Sequence, residues 1–301
     1  MIVAHDTSLA SIVAEHCYGA TPEIECLSRY NNDVFRLRFS NGSKILKLAR
    51  SSQSTLLRKE LMLIDLLARR AVPVPVVEHE DRDGRLVGRP FFIMDSAGDR
   101  TVADWVGTEG DPGRQLFAEM GHVLARIHGV RFAESGEIQH DLIAPSHREE
   151  QSQRLLRLAD WVVEQKLLGA DEVALFKSAA LPRITGGELC HGDFHAVQCI
   201  VQKDRISAVV DWESAWAGNS VIDLAIVHAY LDYYCPPELL ACFFAGYTAI
   251  RPIPPDYDEA YRLVRMAHVL GLLKVWYSRR HRQNVRRAVD LYRAYSRKGT
   301  R

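Results

Sequence analysis

Two short segments place acidic and amide side chains inside apolar stretches of the chain. "ELCHGDFHAVQCIV", residues 188–201, carries His191, Asp193 and Gln198, and "AVVDWE" brings Asp211 about ten residues later. Burying charged groups in apolar surroundings is costly unless they meet opposite charges or a metal. The two segments therefore predict a site at which these side chains find such partners.

One chemistry open to the first segment is transition-metal binding. His191, Asp193 and His195 spell H-x-D-x-H, and imidazole and carboxylate groups are common zinc ligands. This reading would make the protein a metal-dependent hydrolase, although no further ligand cluster accompanies the motif. The sequence contains no G-x-x-x-x-G-K-[ST] segment, which excludes a P-loop.

After a predicted first helix in "SLASIVAEHCYG", residues 20–95 read as short strands around one further helix. "IECLS", "VFRLRF" and "SKILKLA" alternate as strands do, and an Asn-Gly pair between the last two predicts a hairpin. A helix is expected from about Thr55 to Arg70, with Glu60 inside its apolar stripe, where a carboxylate requires a cationic partner. "VPVPVVEHED" and "RPFFIMDSAG" supply two more strands. Because the connections are local, we expect an antiparallel sheet of five strands.

After Gly98 the patterns become mainly helical, so we place a boundary between two lobes at residues 95–98. Six cysteines without a C-x-x-C pair favour a cytoplasmic protein with reduced thiols. The N-terminus lacks the basic region of a signal peptide, and no apolar run is long enough for a membrane helix. We expect no nucleic-acid partner and no membrane partner.

Charge is distributed unevenly along the chain. Residues 274–301 contain ten Lys or Arg and one acid, a net charge of +9 that offsets −9 in the preceding residues. A basic last helix on an acidic body could steer charged ligands or could simply face solvent.

The order of these motifs resembles that of the protein-kinase-like fold, which has H-x-D-x-x-x-x-N followed by an aspartate on the next strand. The chain is most similar to the aminoglycoside phosphotransferase and choline kinase branch, which writes the motifs as "HGD" and "IDWE". "KILKLA", Glu60 and "FFIMDSAG" arrive upstream in the order of that family. The resemblance implies a bilobal α+β fold. Its nucleotide-binding lobe, residues 1–95, would hold a five-stranded antiparallel sheet and a helix, and its lobe of residues 96–301 would be mainly helical, with the catalytic loop and the acceptor site.

The resemblance also implies roles in phosphoryl transfer. Asp193 would accept or orient the proton of the attacking hydroxyl, as the catalytic residue. Asp211 and Gln198 would bind Mg²⁺, with Gln198 at a position where the family usually has asparagine. Lys47, held by Glu60, would neutralise the phosphates of the nucleotide.

The remaining implied contacts belong to the nucleotide. Asn32 would lie in the turn over the phosphates. Met94 and Asp95 mark the hinge, whose backbone would bind the base. The apolar side chains expected to sandwich the base are Ile45, Ile200 and Val210.

The implied activity is transfer of the γ-phosphate of ATP or GTP to a hydroxyl of a small molecule, such as an antibiotic (an antibiotic-resistance enzyme), choline or a metabolite. "HAYLDYYCPPELL" and "PPDYDEAYRL" combine acids with tyrosines, which favours a cationic, amine-bearing acceptor. The basic terminal segment would favour an anionic acceptor if it packs beside the site.

Two alternative functions stay open. One is a catalytically weak, nucleotide-binding pseudokinase, which Gln198 supports, and the other is the metal-dependent hydrolase. The acceptor, the choice of ATP or GTP and the oligomeric state are left open.

Overall fold

The computed structural model describes residues 3–29, 31–51, 55–106, 111–139, 143–145, 148–178 and 187–297. In chain order the elements are α1 (Val3–Tyr18), β1 (Glu23–Arg29), β2 (Asn32–Phe39), β3 (Gly42–Ala49), α2 (Thr55–Ala68), β4 (Val77–Asp81), β5 (Phe91–Asp95), β6 (Arg100–Thr101), α3 (Asp111–Ile127), β7 (Gly136–Ile138), β8 (Ile143–Pro145), α4 (Arg148–Glu164), α5 (Ala170–Ser178), β9 (Glu188–Cys190), β10 (Cys199–Gln202), β11 (Arg205–Val209), β12 (Trp216–Gly218), α6 (Ser220–Tyr234), α7 (Pro237–Thr248), α8 (Tyr257–Ser278) and α9 (Arg282–Ser296).

These elements form two units. The first consists of Met1–Trp105, Gln139–Leu142 and Ala196–Glu213, and the second of Val106–Ile138, Ile143–His195 and Ser214–Arg301. The hairpin of β10 and β11 therefore belongs with the N-terminal sheet, although it lies a hundred residues further along the chain.

The first unit is built on a five-stranded sheet in the order β1-β2-β3-β5-β4, with every neighbouring pair antiparallel. The predicted hairpin joins β2 to β3, with Phe39 paired to Gly42 across the turn. The predicted helix is α2. A mixed α+β fold with a five-stranded antiparallel sheet and a helix in its N-terminal part is thus confirmed.

Alternation along β3 gives its two faces different surroundings. Leu46 and Leu48 are fully buried in a cluster that includes Phe35 of β2 and Val13 of α1. Lys47, between them in sequence, lies on the opposite face and lines a cavity. The apolar cluster thereby holds rigid the strand that presents the lysine.

A second, three-stranded sheet in the order β11-β10-β6 completes the first unit. The chain leading into β6 passes very close to β10, since a Cβ added to Gly98 would lie 2.2 Å from the carbonyl oxygen of Val201. A side chain at position 98 would therefore push β10 away from the segment that follows β5.

The second unit is mainly helical and contains the short four-stranded sheet β8-β7-β12-β9. Its helices α3 and α7 cross with their backbones in contact. A Cβ on Gly121 would lie 2.1 Å from the carbonyl oxygen of Phe243, and one on Gly246 would lie 1.9 Å from that of Ala118. Only glycine permits this approach at either position.

The basic last helix packs by one face only. Ala288 and Tyr292 of α9 are fully buried in a cluster with Leu270 of α8, whereas Arg286 and Arg287 are exposed. Within the described residues, no helix has both the length and the apolar character needed to cross a membrane.

Candidate active site

Lys47 and Glu60 form the buried ion pair that the apolar position of Glu60 predicted. The Nζ of Lys47 lies 2.9 and 2.7 Å from the two carboxylate oxygens of Glu60. The side chains are only 7% and 2% exposed. The pair joins β3, whose apolar face is buried, to the buried face of α2.

Two further carboxylates reach the same ammonium group. Asp211 Oδ1 lies 3.1 Å and Glu213 Oε1 3.4 Å from Lys47 Nζ. Burial alone would lower the pKa of Lys47, but the charges of Glu60, Asp211 and Glu213 outweigh it and raise this pKa above its ordinary value. Lys47 therefore stays protonated and can attract anions.

Asp211 adopts a left-handed backbone conformation, with a φ of +72°. Such a conformation is uncommon for a residue other than glycine and often marks a functional position. The next residue, Trp212, is fully buried, and its Nε1 donates to the carbonyl oxygen of Val209 at 3.0 Å. This anchor fixes the turn and leaves the carboxylate of Asp211 about half exposed.

Glu213 is a site residue that the sequence reasoning missed. Its two carboxylate oxygens accept hydrogen bonds from the side-chain amides of Asn31, at 2.8 Å, and of Asn32. It therefore ties the turn between β1 and β2 to Lys47. The available signal was the spacing of "VVDWE", which places a second carboxylate two residues after Asp211.

A cavity of about 410 Å³ opens beside this cluster, within the size range of small-ligand pockets. Apolar groups from both sheets of the first unit supply much of its lining. Predicted site residues in that lining are Asn32, Ile45, Lys47, Met94, Asp95, Gln198, Ile200, Val210 and Asp211. Glu60 is not part of the lining, and Asp193 belongs to the second unit.

The segment after β5 is held on both sides. Asp95 Oδ1 accepts a hydrogen bond from the backbone N–H of Val76 at 2.8 Å, so this side chain holds the backbone that precedes β4. The carbonyl oxygen of Ala97 accepts from Ser207 Oγ at 2.5 Å. The predicted hinge is thereby fixed to the residue that precedes β4 and to the hairpin of β10 and β11.

Gln198 has a buried oxygen suited to a cation. The residue is only 8% exposed, and among the described residues no donor reaches its Oε1 within hydrogen-bond distance. An unsatisfied buried amide oxygen is costly, and a hard cation would relieve that cost. Gln198 and Asp211 therefore fit Mg²⁺ by their chemistry.

The alternative of a transition-metal centre finds little support in the structure. Within the described part of the chain, no group of three or more His, Cys, Asp or Glu side chains is arranged to hold a metal ion. In the H-x-D-x-H segment, His191 Nδ1 accepts from the backbone N–H of Asp193 at 3.4 Å, and His195 stacks on Tyr230.

Asp193 lies in the second unit, on a loop whose backbone is hydrogen-bonded to a buried carboxylate. The backbone N–H groups of His191 and Gly192 donate to the carboxylate of Asp223 at 2.9 and 2.8 Å. Burial alone would raise the pKa of Asp223, but its hydrogen bond to His128 and the nearby imidazole charges lower it. A carboxylate so held keeps the loop in place while Asp193 remains exposed.

Gly192 is required for the shape of this loop. Its φ is +80°, and an added Cβ would lie 2.3 Å from the carbonyl oxygen of Ser214. Both the backbone conformation and the space exclude a side chain, which gives a physical reason for the glycine of the "HGD" segment.

An aromatic face extends from Asp193 along α6. His195 Nε2 lies 3.7 Å from Asp193 Oδ1, and its ring stacks on Tyr230 with centroids 4.6 Å apart. Tyr230 in turn contacts Tyr234, which is 45% exposed. Burial raises the pKa of Tyr230 to about 12, so its hydroxyl is protonated at neutral pH.

One of the acidic residues expected near an acceptor, Asp232, points away from Tyr230. Asp232 follows Tyr230 by two residues and so points about 200° away around α6. Its carboxylate accepts from the hydroxyls of Tyr261 and Tyr295 at 3.2 and 3.1 Å. The basic helix does reach the aromatic face, because the guanidinium of Arg287 lies 4.8 Å from the ring centre of Tyr233, which contacts Tyr234.

Comparison with solved structures shows the fold. The aminoglycoside phosphotransferase APH(4)-Ia has a TM-score of 0.67 and 17% identity, covering 98% of this chain and 99% of its own. The GDP complex of a mutant of aminoglycoside 2'-phosphotransferase-IIIa has a TM-score of 0.68 and 13% identity, covering 97% of each chain. The predicted protein-kinase-like fold is thus confirmed.

Sequence relatives include two mouse proteins. Acyl-CoA dehydrogenase family member 10 of Mus musculus is 26% identical over 242 residues, covering 76% of this chain and 22% of the relative. Family member 11 is 24% identical over 168 residues, covering 52% of this chain and 20% of the relative. The chain thus matches about a fifth of the length of these relatives.

The model of the phosphotransferase enzyme family matches residues 24–263. This match includes the sheet, both sequence motifs and α6, and the chain belongs to the phosphotransferase enzyme family.

Proposed function

We propose that the protein transfers the γ-phosphoryl group of ATP or GTP to a hydroxyl of a small molecule. The observation that carries this proposal is Lys47, which lines the cavity beside Asp211 and is held from behind by the buried carboxylate of Glu60. Solved structures with the same fold support nucleotide as donor, since complexes with ADP, with AMP-PNP and with GDP are among them.

In this proposal each group has one task. Asp211 and Gln198 would hold Mg²⁺, which when bound neutralises charge on the phosphates. Lys47 attracts the phosphates, and Ile45, Ile200 and Val210 enclose the base. The oxygen of the acceptor hydroxyl bonds to the γ-phosphorus as the bond to the nucleoside diphosphate breaks, and Asp193 takes the hydroxyl proton.

We further propose an amine-bearing acceptor for the same site. The exposed ring of Tyr234 and the neighbouring Tyr230 offer faces for a cation near the carboxylate of Asp193. Arg287 opposes this choice through its contact with Tyr233, so the charge of the acceptor must be measured.

Six cysteines without a disulfide support a cytoplasmic location. We retain residues 1–95 as the core of the nucleotide lobe.

The test is a screen of ATP and GTP consumption with aminoglycosides, amino alcohols and hydroxy acids, with the phosphorylated product identified by mass spectrometry. We expect an amine-bearing acceptor whose kcat/KM falls as ionic strength rises, because salt screens the attraction between opposite charges. A hydroxy acid as the favoured acceptor would overturn the amine proposal. Nucleotide binding without any phosphorylated product would favour the pseudokinase.

Replacing Gln198 tests the proposed cation contact. Gln198→Ala should raise the Mg²⁺ concentration needed for half-maximal nucleotide binding by about tenfold, because one oxygen ligand or its bridging water is lost. Gln198→Asn should keep the metal dependence close to that of the wild type. Titration of nucleotide binding with Mg²⁺ measures both, and Gln202→Ala, at the exposed end of β10, the strand that follows Gln198, is the control. Equal midpoints for all variants would remove Gln198 from the metal site.

A further inference from the structure

Two hydrogen-bond donors and one ammonium group of the first unit converge on one carboxylate. The side-chain amides of Asn31 and Asn32 donate to Glu213, and Lys47 Nζ lies 3.4 Å from Glu213 Oε1. The Glu213 side chain is only 10% exposed. An ammonium group and two N–H donors directed at one point make an anion-binding site, and here an anion of the chain itself fills it.

We propose that the carboxylate of Glu213 occupies the position that a phosphate group of the nucleotide takes on binding. It holds the side chains of Asn31, Asn32 and Lys47 until a metal-bound nucleotide displaces it. This inference rests on the proposed function, because it concerns the phosphate end of the same cavity. It assigns Glu213 a role as a competitor of the nucleotide at that end.

The charges around Lys47 give the physical reason. Glu60, Asp211 and Glu213 place three carboxylates about one ammonium group, a net of two negative charges if all are ionised. A free triphosphate approaching this cluster meets repulsion as well as donors already engaged. A divalent cation offsets the repulsion, so the wild-type protein should bind nucleotide far more tightly with metal than without it.

The two possible roles of Glu213 predict opposite results. If Glu213 competes with phosphate, removing its charge frees the side-chain amides of Asn31 and Asn32, reduces the negative charge beside Lys47 and so strengthens binding of metal-free nucleotide. If Glu213 only braces the turn between β1 and β2, its removal loosens the donors and weakens binding under every condition. The sign of the change in metal-free affinity therefore decides between them.

The experiment measures binding of ADP and of inorganic tripolyphosphate to the full chain by calorimetry, once in EDTA and once with Mg²⁺. Glu213→Gln should tighten metal-free binding of both probes by about tenfold. Glu213→Asp keeps the charge but shortens its reach, so its gain should be smaller. Glu80→Gln is the control, because Glu80 is an exposed carboxylate on β4 that pairs with Arg82.

Metal-free affinity that is unchanged or weaker in both Glu213 variants would overturn the inference. If Glu213→Gln does not fold, as judged by its thermal transition, the smaller gain expected of Glu213→Asp decides the question. A wild-type protein that binds no nucleotide with or without Mg²⁺ would overturn the proposed function itself. Wild-type binding with Mg²⁺ but no gain in the variants would reject the role of Glu213 alone.

Discussion

Asp193→Asn should lower kcat by about 10³-fold with the acceptor found in the screen, because the amide cannot take the proton of the attacking hydroxyl. Nucleotide affinity should stay within about twofold of the wild type, since the cavity residues belong to the first unit and Asp193 to the second. Steady-state turnover and calorimetric nucleotide binding, measured on the same preparation, separate the two effects.

A matched control for this substitution is Asp204→Asn. Asp204 is an exposed aspartate in the turn between β10 and β11, where its φ of +58° suits asparagine equally well. Its replacement should leave turnover unchanged. Turnover of Asp193→Asn above a tenth of the wild-type value would show that Asp193 does not act as the base.

The sequence predicted best those features that depend on local periodicity. The hairpin between β2 and β3 followed from alternation and a turn signal, and α2 followed from its apolar stripe. Glu60 could be recognised because it interrupts that stripe, and a buried carboxylate requires a cation. The resemblance then supplied Lys47, and the structure brings the two charges together.

The hydrogen bonds that Glu213 accepts from Asn31 and Asn32 could not be predicted from local periodicity. Asn31 and Glu213 are separated by 182 positions, and no local pattern records which turn a distant carboxylate reaches. Their contact depends on β10 and β11 packing with the N-terminal sheet. Such long-range polar contacts follow from tertiary packing, which periodicity does not encode.

The acceptor region shows a second limit of sequence reasoning. "HAYLDYY" places an acid among tyrosines, and that composition suggested a shared surface. On a helix, however, residues two apart point in nearly opposite directions. Asp232 is accordingly bonded to Tyr261 and Tyr295, while Tyr230 lies beside His195. Composition identified the segment, but the helix decided which side chains face Asp193.

The Lys47–Glu60 pair should behave as one functional unit. Lys47→Met and Glu60→Gln should each lower kcat/KM by about 10²-fold, because the first removes the charge that attracts the phosphates and the second removes the carboxylate that positions it. The double variant should be little worse than either single variant, since one pair carries both effects. Transition-state free energies from kcat/KM of all four proteins measure the coupling.

The neighbouring pair Lys44 and Glu78 provides the control cycle. Lys44 lies on the same strand as Lys47, and it pairs with Glu78 of β4 at side-chain exposures of 27% and 29%, outside the cavity lining. Surface pairs contribute little, so Lys44→Met and Glu78→Gln should leave kcat/KM within about twofold of the wild type. If the effects at Lys47 and Glu60 were fully additive, each residue would act independently. Glu60 would then have a task other than holding the lysine, and the role proposed for the buried pair in binding phosphate would be wrong.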